Sequence, residues 1–271
     1  MRPLDAFPQD VLCRVRVVLS DIDDTLTLHG RLPAAAYAGM ERIRSAGLLM
    51  VPITGRPAGW CDHIARMWPV DGVVGENGAF YFHYDEANRK MIRRYWASRE
   101  DRTVDERRLA AVREKILSTV PGAAVSADQS YRETDLAIDF CEDVCPLSLD
   151  EVDRIVQVFL AAGAKAKVSS IHVNGWFGDY DKLAMTRRLL EEVFYIDLNH
   201  SVEEVVYVGD SPNDAPMFAM FGNSIGVANI QRFTGRLTAE LGYVTKHSGG
   251  HGFAEFVNVL LAARYANKKE T

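Results

Sequence analysis

Short apolar runs alternate with helical patterns along the first part of this chain, and this alternation constrains the fold more than any other sequence feature. Residues 15–20, 48–53 and 72–75 are apolar runs typical of buried strands, whereas residues 33–46 and 59–67 have helical periodicity. Strands separated by single helices predict a parallel sheet with right-handed crossovers. The near-continuous apolar character of the runs indicates that both faces of this sheet are covered.

The same alternation returns in the last third of the chain. The predicted helices there are residues 182–193, 213–220 and 252–263, and the predicted strands are residues 204–208, 224–228 and 242–245. The predicted fold class is therefore α/β, with a doubly wound, Rossmann-like parallel sheet as its core.

The middle of the chain has a different pattern. Predicted strands at residues 79–82, 91–95, 136–140 and 166–173 are mixed with predicted helices at residues 103–118 and 148–161. Hairpins combined with helices in this way predict an inserted α+β unit with its own open sheet. We therefore expect a core formed by residues 1–82 and 179–271, and an insert formed by residues 83–178.

Composition excludes several classes of protein. The 271 residues carry a formal net charge of −6, which argues against a nucleic-acid partner held by bulk electrostatics. No apolar run reaches the length of a membrane span, and the first residues lack a signal-peptide core. The four cysteines show no tight pairing pattern. We expect a cytoplasmic monomer or homodimer without a membrane or nucleic-acid partner.

Two carboxylates, those of Asp21 and Asp23, directly follow the first predicted strand in the segment Asp-Ile-Asp-Asp-Thr. An aspartate is ionised at neutral pH and attacks a phosphate without prior deprotonation. A divalent cation such as Mg²⁺ would offset the repulsion between the two anions. An EF-hand calcium loop is excluded because Leu26 and Leu32 stand where it needs Gly and Glu. A helix N-cap explains the segment, taken alone, equally well.

Three later segments carry polar groups suited to a phosphate site: Thr54-Gly55-Arg56, Lys182, and Gly209-Asp210-Ser211-Pro212-Asn213-Asp214. Taken separately, the first is typical of a capped turn and the second of a solvated surface lysine. The third is harder to explain as a plain turn, because its carboxylates would repel each other without a cation. The first and third follow predicted strands of one parallel sheet, whose carboxyl ends form a ligand crevice, and Lys182 begins a helix. We therefore expect all of them to meet.

In this order, the segments resemble the four motifs of the haloacid dehalogenase superfamily of phosphohydrolases. The acidic segment at Asp21 is similar to the first motif, Thr54 to the second, Lys182 to the third and the Asp210 segment to the fourth. The insert is similar to the type II (IIB-like) cap of the subgroup whose phosphatases act on sucrose phosphate, trehalose phosphate and mannosyl-phosphoglycerate. Asp24 is a departure, since many relatives have Gly there.

The resemblance implies a role for each motif residue. Asp21 is the expected nucleophile, which forms an aspartyl-phosphate, and Asp23 is the expected acid and base. The expected Mg²⁺ ligands are Asp21, Asp23 through its backbone carbonyl, Asp210 and Asp214. The groups expected to bind the phosphoryl group or the substrate are Thr54, Gly55, Lys182 and Asn213.

The segment Gly-Glu-Asn-Gly-Ala at residues 75–79 also resembles the turn that precedes the cap in this subgroup. A plain hairpin turn explains the segment equally well, because Asn-Gly is favoured in such turns.

The insert is expected to select the leaving group. His172, Asn174 and Trp176 alternate with Val173 and Gly175, so they share one face of a predicted strand and are expected to contact substrate. A solvent-facing edge of the insert explains the same pattern equally well.

The predicted function is Mg²⁺-dependent hydrolysis of a small phosphate monoester, with a sugar phosphate as the expected substrate. A phosphomutase and a non-catalytic phosphate-binding regulator remain the alternatives.

Overall fold

The strand that precedes the acidic segment is buried on both sides. It comprises Val17–Ser20, and all four residues are buried. Val18 packs into one hydrophobic core, whereas Val17 and Leu19 pack into a second core. Because side chains alternate along a strand, these cores lie on opposite faces of the sheet. The computed structural model, which describes residues 1–169 and 171–270, shows the elements that cover both faces.

The described residues form thirteen strands and nine α-helices. The strands are β1 (Arg2–Pro3), β2 (Val17–Ser20), β3 (Leu49–Pro52), β4 (Val73–Gly75), β5 (Phe80–Asp85), β6 (Lys90–Tyr95), β7 (Ala124–Val125), β8 (Leu136–Asp139), β9 (Lys165–Val168), β10 (His172–Trp176), β11 (Val205–Gly209), β12 (Ser224–Gly226) and β13 (Tyr243–Val244). The helices are α1 (Gln9–Arg14), α2 (Ala34–Ser45), α3 (Ala58–Met67), α4 (Arg99–Thr119), α5 (Leu149–Ala161), α6 (Lys182–Phe194), α7 (Leu198–Ser201), α8 (Ala215–Met220) and α9 (Gly249–Glu270).

The main sheet has the order β1-β13-β12-β11-β2-β3, and all of its pairings are parallel. Helices α1, α2, α3 and α9 contribute side chains to the core on one face, and α6, α7 and α8 contribute to the core on the other. The predicted doubly wound α/β fold with an α+β insert is confirmed.

Two antiparallel sheets lie outside this core sheet. Strands β4, β5 and β6 form one, and the predicted hairpin is its β5–β6 pair. Strand β4, predicted with the parallel strands, has a single parallel bridge to that sheet among the described residues, from Val74 to Ile53. The other sheet has the order β7-β8-β10-β9 and packs against α4 and α5 around a third hydrophobic core. The three-stranded sheet spans the expected boundary at residue 83, and the domain limits remain a prediction.

The expectation of a single strand over residues 166–173 is wrong. Strands β9 and β10 occupy this region and pair antiparallel, with Val168 opposite Val173. The turn between them is stabilised by Ser169, whose hydroxyl accepts hydrogen bonds from the backbone N–H groups of Ile171 and His172. A serine hydroxyl that bonds nearby backbone in this way competes with strand pairing.

Among the described residues, no helix has both the length and the apolar content that crossing a bilayer requires.

Candidate active site

Three loops meet at the carboxyl edge of the main sheet, because the strands that lead into them are neighbours. Strands β11, β2 and β3 lie side by side in that order. The backbone N–H of Asp21 donates to Val208 O (2.9 Å), and that of Ile53 donates to Ser20 O (2.8 Å). Asp21, Thr54 and Asp210 each follow the end of one of these strands. The expected convergence of the three loops is therefore observed.

Lys182 joins two of the carboxylates beneath this edge. It is the first residue of α6, and Asp181 caps the helix by accepting a hydrogen bond from Ala184 N. Lys182 Nζ donates to Asp21 Oδ1 (2.6 Å) and to Asp214 Oδ1 (3.0 Å), and all three side chains are buried. Burial disfavours the ammonium, but its attraction to Asp21 and Asp214 outweighs that effect and raises the pKa of Lys182.

Asp214 is held tightly by its surroundings. Its Oδ1 also accepts a hydrogen bond from the Tyr207 hydroxyl (2.6 Å), and its Oδ2 accepts one from Asp210 N (3.3 Å). Gly209 is needed for this approach, since a Cβ there would lie 2.6 Å from Asp214 Oδ2. These contacts fix the direction in which Asp214 faces Lys182.

The donor set of this cluster fits a divalent metal ion. Asp21, Asp210 and Asp214 each offer a carboxylate oxygen, and the three atoms lie within 4.8 Å of one another. Burial raises the pKa of Asp21 to about 7 against the opposing effect of Lys182, and burial together with Asp21 raises the pKa of Asp210 well above its usual range. Crowded, buried carboxylate oxygens of this kind are suitable ligands for a hard cation. The side chain of Asp23 is not part of this group.

Asp23 instead forms an ion pair with Arg56. Both carboxylate oxygens of Asp23 accept hydrogen bonds from Arg56 Nε (3.0 Å each), and Oδ1 also accepts one at 2.8 Å from the terminal guanidinium. The guanidinium of Arg56 lies 4.6 Å from the ring centroid of Trp60. This arrangement orients Asp23 at the edge of the site.

A cavity of about 530 Å³ opens above the cluster. Seven of the predicted site residues line it: Asp21, Asp23, Gly55, His172, Asn174, Asp210 and Asn213. Four others do not: Thr54, Trp176, Lys182 and Asp214. Of these four, Lys182 and Asp214 contact the lining residues from below. The Thr54 hydroxyl accepts a hydrogen bond from Arg56 N and holds the loop.

A second cavity, of about 390 Å³, lies on the other side of the Asp23–Arg56 pair. It is lined largely by apolar and aromatic side chains, including Leu32, Trp60 and Trp68. The ion pair is therefore a wall that the two cavities share.

The predicted insert residues have different surroundings from one another. Asn174 Nδ2 donates to Asp135 Oδ2 (3.1 Å), and His172 Nε2 lies 2.8 Å from Glu142 Oε2. Trp176 is buried, and its ring stacks on Tyr180 at a centroid distance of 5.8 Å. The structure thus brings His172 and Asn174 to the cavity but places Trp176 in the hydrophobic core.

Backbone carbonyls and amides tie the insert to the catalytic loops. The Arg132 guanidinium donates to Gly55 O, and Lys167 Nζ donates to Asn213 O, both at 3.1 Å. The buried carboxylate of Glu76 accepts hydrogen bonds from Ala58 N (2.9 Å) and Thr134 N (2.7 Å). These contacts hold the insert against both loops that border the cavity.

Two asparagines at the cavity were not predicted as site residues. Asn77, with φ of 58°, has a buried Nδ2 that finds no hydrogen-bond partner within the described part of the chain. Asn229 Nδ2 donates to Asp210 Oδ2 (3.1 Å) and to Asp24 O (3.0 Å). Asn77 belongs to the turn that the sequence could equally assign to a hairpin, and Asn229 lies in a short 3₁₀ helix, Ala228–Phe233, for which the sequence has no recognisable pattern.

Comparisons with known proteins agree with this geometry. A family model described as haloacid dehalogenase-like hydrolase matches residues 180–257, which include Lys182, Asp210 and Asp214. The chain is 29% identical over 254 residues to a phosphoglycolate phosphatase of Pyrobaculum neutrophilum, covering 92% of this chain and 96% of the relative.

Two solved structures show the same fold. The C-terminal domain of trehalose-6-phosphate phosphatase from C. albicans has a TM-score of 0.70 at 13% identity, with 97% of this chain and 99% of that one covered. The sucrose-phosphatase of Synechocystis, solved with sucrose and phosphate, has a TM-score of 0.62 at 14% identity, with 90% and 97% covered. Together, the matches confirm the predicted resemblance to the haloacid dehalogenase-like phosphohydrolases and support the predicted enzyme class, a phosphoric monoester hydrolase.

Proposed function

We propose that this protein is a Mg²⁺-dependent phosphatase that hydrolyses a small phosphate monoester, such as phosphoglycolate or a sugar phosphate, through an aspartyl-phosphate. The observation that carries the proposal is the buried contact of Lys182 with Asp21 and Asp214, next to Asp210 at the floor of the cavity. A nucleophilic carboxylate, a cationic side chain and carboxylates that could hold a metal ion occur together there, as phosphoryl transfer requires.

The residues divide the reaction between them. An Asp21 oxygen attacks phosphorus, the bond to the ester oxygen breaks, and the leaving oxygen takes a proton from Asp23. Asp23 then accepts a proton from a water molecule that attacks the phosphorus, and the bond to Asp21 breaks to release phosphate. The side chain of Asp23 is paired with Arg56, so the pair must loosen before Asp23 contacts the leaving oxygen.

The phosphoryl oxygens have three candidate partners. Lys182 lies against Asp21 and supplies a positive charge where negative charge develops. The unpartnered amide of Asn77 and the backbone of Gly55 face the same cavity. Mg²⁺ held by Asp21, Asp210 and the backbone carbonyl of Asp23 would neutralise the carboxylates and the substrate phosphate.

Asp214 is the predicted ligand that the geometry favours least. Its two oxygens already accept hydrogen bonds from Lys182, Tyr207 and Asp210. We propose that Asp214 mainly positions Lys182.

The test is replacement of Asp21 by Asn, assayed for phosphate release from a generic aryl phosphate with Mg²⁺. We expect release to fall by at least about 10³-fold, because the amide is a poor nucleophile, while thermal unfolding remains cooperative. Asp153→Asn, on the exposed face of α5, is the matched control and should keep wild-type activity. Wild-type turnover by Asp21→Asn would exclude the mechanism.

The same assay separates the alternatives. A phosphomutase would return an isomerised ester in place of free phosphate, and a non-catalytic regulator would bind phosphate without turnover. Removing divalent metal with EDTA should abolish release, and adding Mg²⁺ should restore it.

A further inference from the structure

Four arginines line the main cavity, and two of them are already compensated. Arg56 pairs with Asp23. Arg132 is buried and pairs with Asp128 (2.9 Å) and Asp135 (3.0 Å). Because these two guanidinium groups are occupied by carboxylates of the protein, they are poor candidates for binding a charged substrate group.

The other two, Arg232 and Arg236, have no such partners. Both line the same cavity, both are exposed, and neither forms a hydrogen bond or an ion pair through its side chain with the described part of the chain. Both guanidinium groups therefore remain available to a ligand, in a cavity that is also lined by the carboxylates of Asp21, Asp23, Asp24 and Asp210. An anion is the natural partner for such a pair.

The backbone places Arg232 on the same helix face as Asn229, which contacts Asp210 of the metal cluster. Residues Ala228–Phe233 form a 3₁₀ helix, in which side chains three residues apart are aligned. Asn229 is fastened to Asp210 by a hydrogen bond of 3.1 Å. Arg232 therefore lies one turn further along, about 6 Å from Asn229 at roughly 2 Å of rise per residue. Arg232 thus lies within the same cavity lining as Asp210 and Asn229.

The insert contributes four apolar residues to the cavity lining: Phe140, Leu149, Val168 and Ile171. Asn174 Nδ2 is engaged with Asp135, whereas His172 Nε2 lies 2.8 Å from Glu142 but forms no hydrogen bond with the described residues. Arg232 and Arg236 are thus the arginines of the lining that are not paired with a carboxylate of the described part of the chain.

We propose that Arg232 and Arg236 bind a second anionic group of the substrate, a carboxylate or a second phosphate, so that the preferred substrates are acidic phosphate esters. This inference rests on the proposed phosphatase function and adds the substrate class. A guanidinium binds a carboxylate or phosphate with paired, charge-assisted hydrogen bonds, which an uncharged hydroxymethyl group cannot match.

A matched pair of substrates tests the proposal directly. Phosphoglycolate and 2-hydroxyethyl phosphate differ only in whether the distal group is a carboxylate or a hydroxymethyl group. We expect the wild-type protein to prefer phosphoglycolate, and the double variant Arg232→Gln/Arg236→Gln to lose about 10–100-fold in kcat/KM for it, the range of a charge-assisted interaction. The same variant should change kcat/KM for 2-hydroxyethyl phosphate by less than about twofold.

A second pair of substrates identifies the type of second anion, and a control variant tests for an effect of net charge. Fructose 1,6-bisphosphate compared with fructose 6-phosphate asks whether a phosphate serves in place of the carboxylate. Arg107→Gln/Arg113→Gln, exposed on α4 and outside the cavity lining, removes the same charge and should leave the preference for acidic esters intact.

The outcomes separate this proposal from the function on which it rests. Equal losses on charged and uncharged esters, or no loss on either, would overturn the substrate class while Asp21→Asn still abolishes turnover. A wild-type protein that releases phosphate from none of these esters and not from the aryl phosphate, or an active Asp21→Asn variant, contradicts the phosphatase function and the substrate class together.

Discussion

The acidic cluster of the core and the ionic cluster of the insert are both buried, but their charges are balanced differently. In the core, Asp21, Asp210 and Asp214 lie together, and Lys182 is the cation in direct contact with two of them. In the insert, Arg132 donates to both Asp128 and Asp135, and to a backbone carbonyl as well. Three carboxylates face one ammonium in the first cluster, whereas two carboxylates face Arg132 in the second, where Asp128 also lies 3.7 Å from Arg56. More negative charge is therefore left over in the core.

This difference separates a reactive site from a scaffold. A buried group without a partner is costly, so an excess of carboxylates persists where a ligand supplies the missing charge. A cluster closer to neutrality has less need of a ligand and fixes the shape of the surrounding chain. We infer that the core cluster performs the chemistry and that the insert cluster holds the wall of the cavity in place.

The largest expected effect comes from Lys182→Met. Removing the ammonium leaves Asp21 and Asp214 without their cation, so we expect a loss of about 3–5 kcal/mol in the free energy of unfolding. Phosphate release should fall by at least about 10³-fold at temperatures where the variant is still folded, because charge stabilisation is lost. Lys115→Met, on the exposed surface of α4, is the control for removing a lysine. Near-wild-type turnover would remove Lys182 from the proposed site.

Arg132→Met removes the cation of the insert cluster and should affect stability much more than turnover. We expect a comparable loss of about 3–5 kcal/mol in the free energy of unfolding, since Asp128 and Asp135 become unpaired. The kcat of the folded fraction should fall much less than in Lys182→Met, because Arg132 reaches the site only through Gly55 O. Denaturant unfolding and steady-state kinetics on the same samples measure both quantities. A stability loss below about 0.5 kcal/mol would contradict the scaffold role.

Glu76, which joins the insert to the core, adds a pH dependence to stability. Burial raises its pKa from 4.5 to about 7, so the folded state binds the proton more tightly than the unfolded state does. The resulting stabilisation is fully present below pH 4.5 and is lost as the pH rises to about 7. It amounts to about 3 kcal/mol, at 1.36 kcal/mol per pKa unit.

Glu76→Gln cannot titrate at this position. The unfolding free energy of the wild type minus that of the variant should therefore fall as the pH rises through this window. Taking the difference cancels the contributions of Asp21 and Asp210, which both proteins retain. A difference that stays constant from pH 4.5 to 7 would contradict the raised pKa.

The smallest expected effects compare two predicted substrate contacts within β10. Asn174 lines the cavity, and we expect Asn174→Ala to raise KM several-fold, about the effect of one lost hydrogen bond. Trp176 lies in the core, so Trp176→Phe should leave KM unchanged and cost about 1 kcal/mol of stability through reduced packing. A raised KM for Trp176→Phe with an unchanged KM for Asn174→Ala would reverse the assignment.

Much of the site in the core sheet was predictable from sequence, because its residues follow the ends of strands. Asp21, Thr54 and Asp210 each follow an apolar run, and parallel strands bring such positions to one edge of the sheet. Period-two alternation also placed His172, Asn174 and Trp176 on one strand. It could not reveal which of them faces the cavity, because strand position does not determine whether a face meets solvent, a ligand or another element.

Other features depend on contacts between distant segments and leave no local pattern. The pairing of Asp23 with Arg56 joins two loops, and the hydrogen bond from Asn229 to Asp210 joins two others. The hairpin at β9 and β10 was missed because the bonds formed by the Ser169 hydroxyl end a run that otherwise has continuous strand propensity.

The wall formed by Asp23 and Arg56 has a consequence for how large a molecule the enzyme accommodates. The pair separates chambers of about 530 Å³ and about 390 Å³, and the carboxylate of that pair is the proposed proton donor. Separation of the two side chains would therefore free Asp23 to donate a proton and would join the two cavities at the same time. A bulky alcohol leaving group would then have more space at the step in which it takes up a proton.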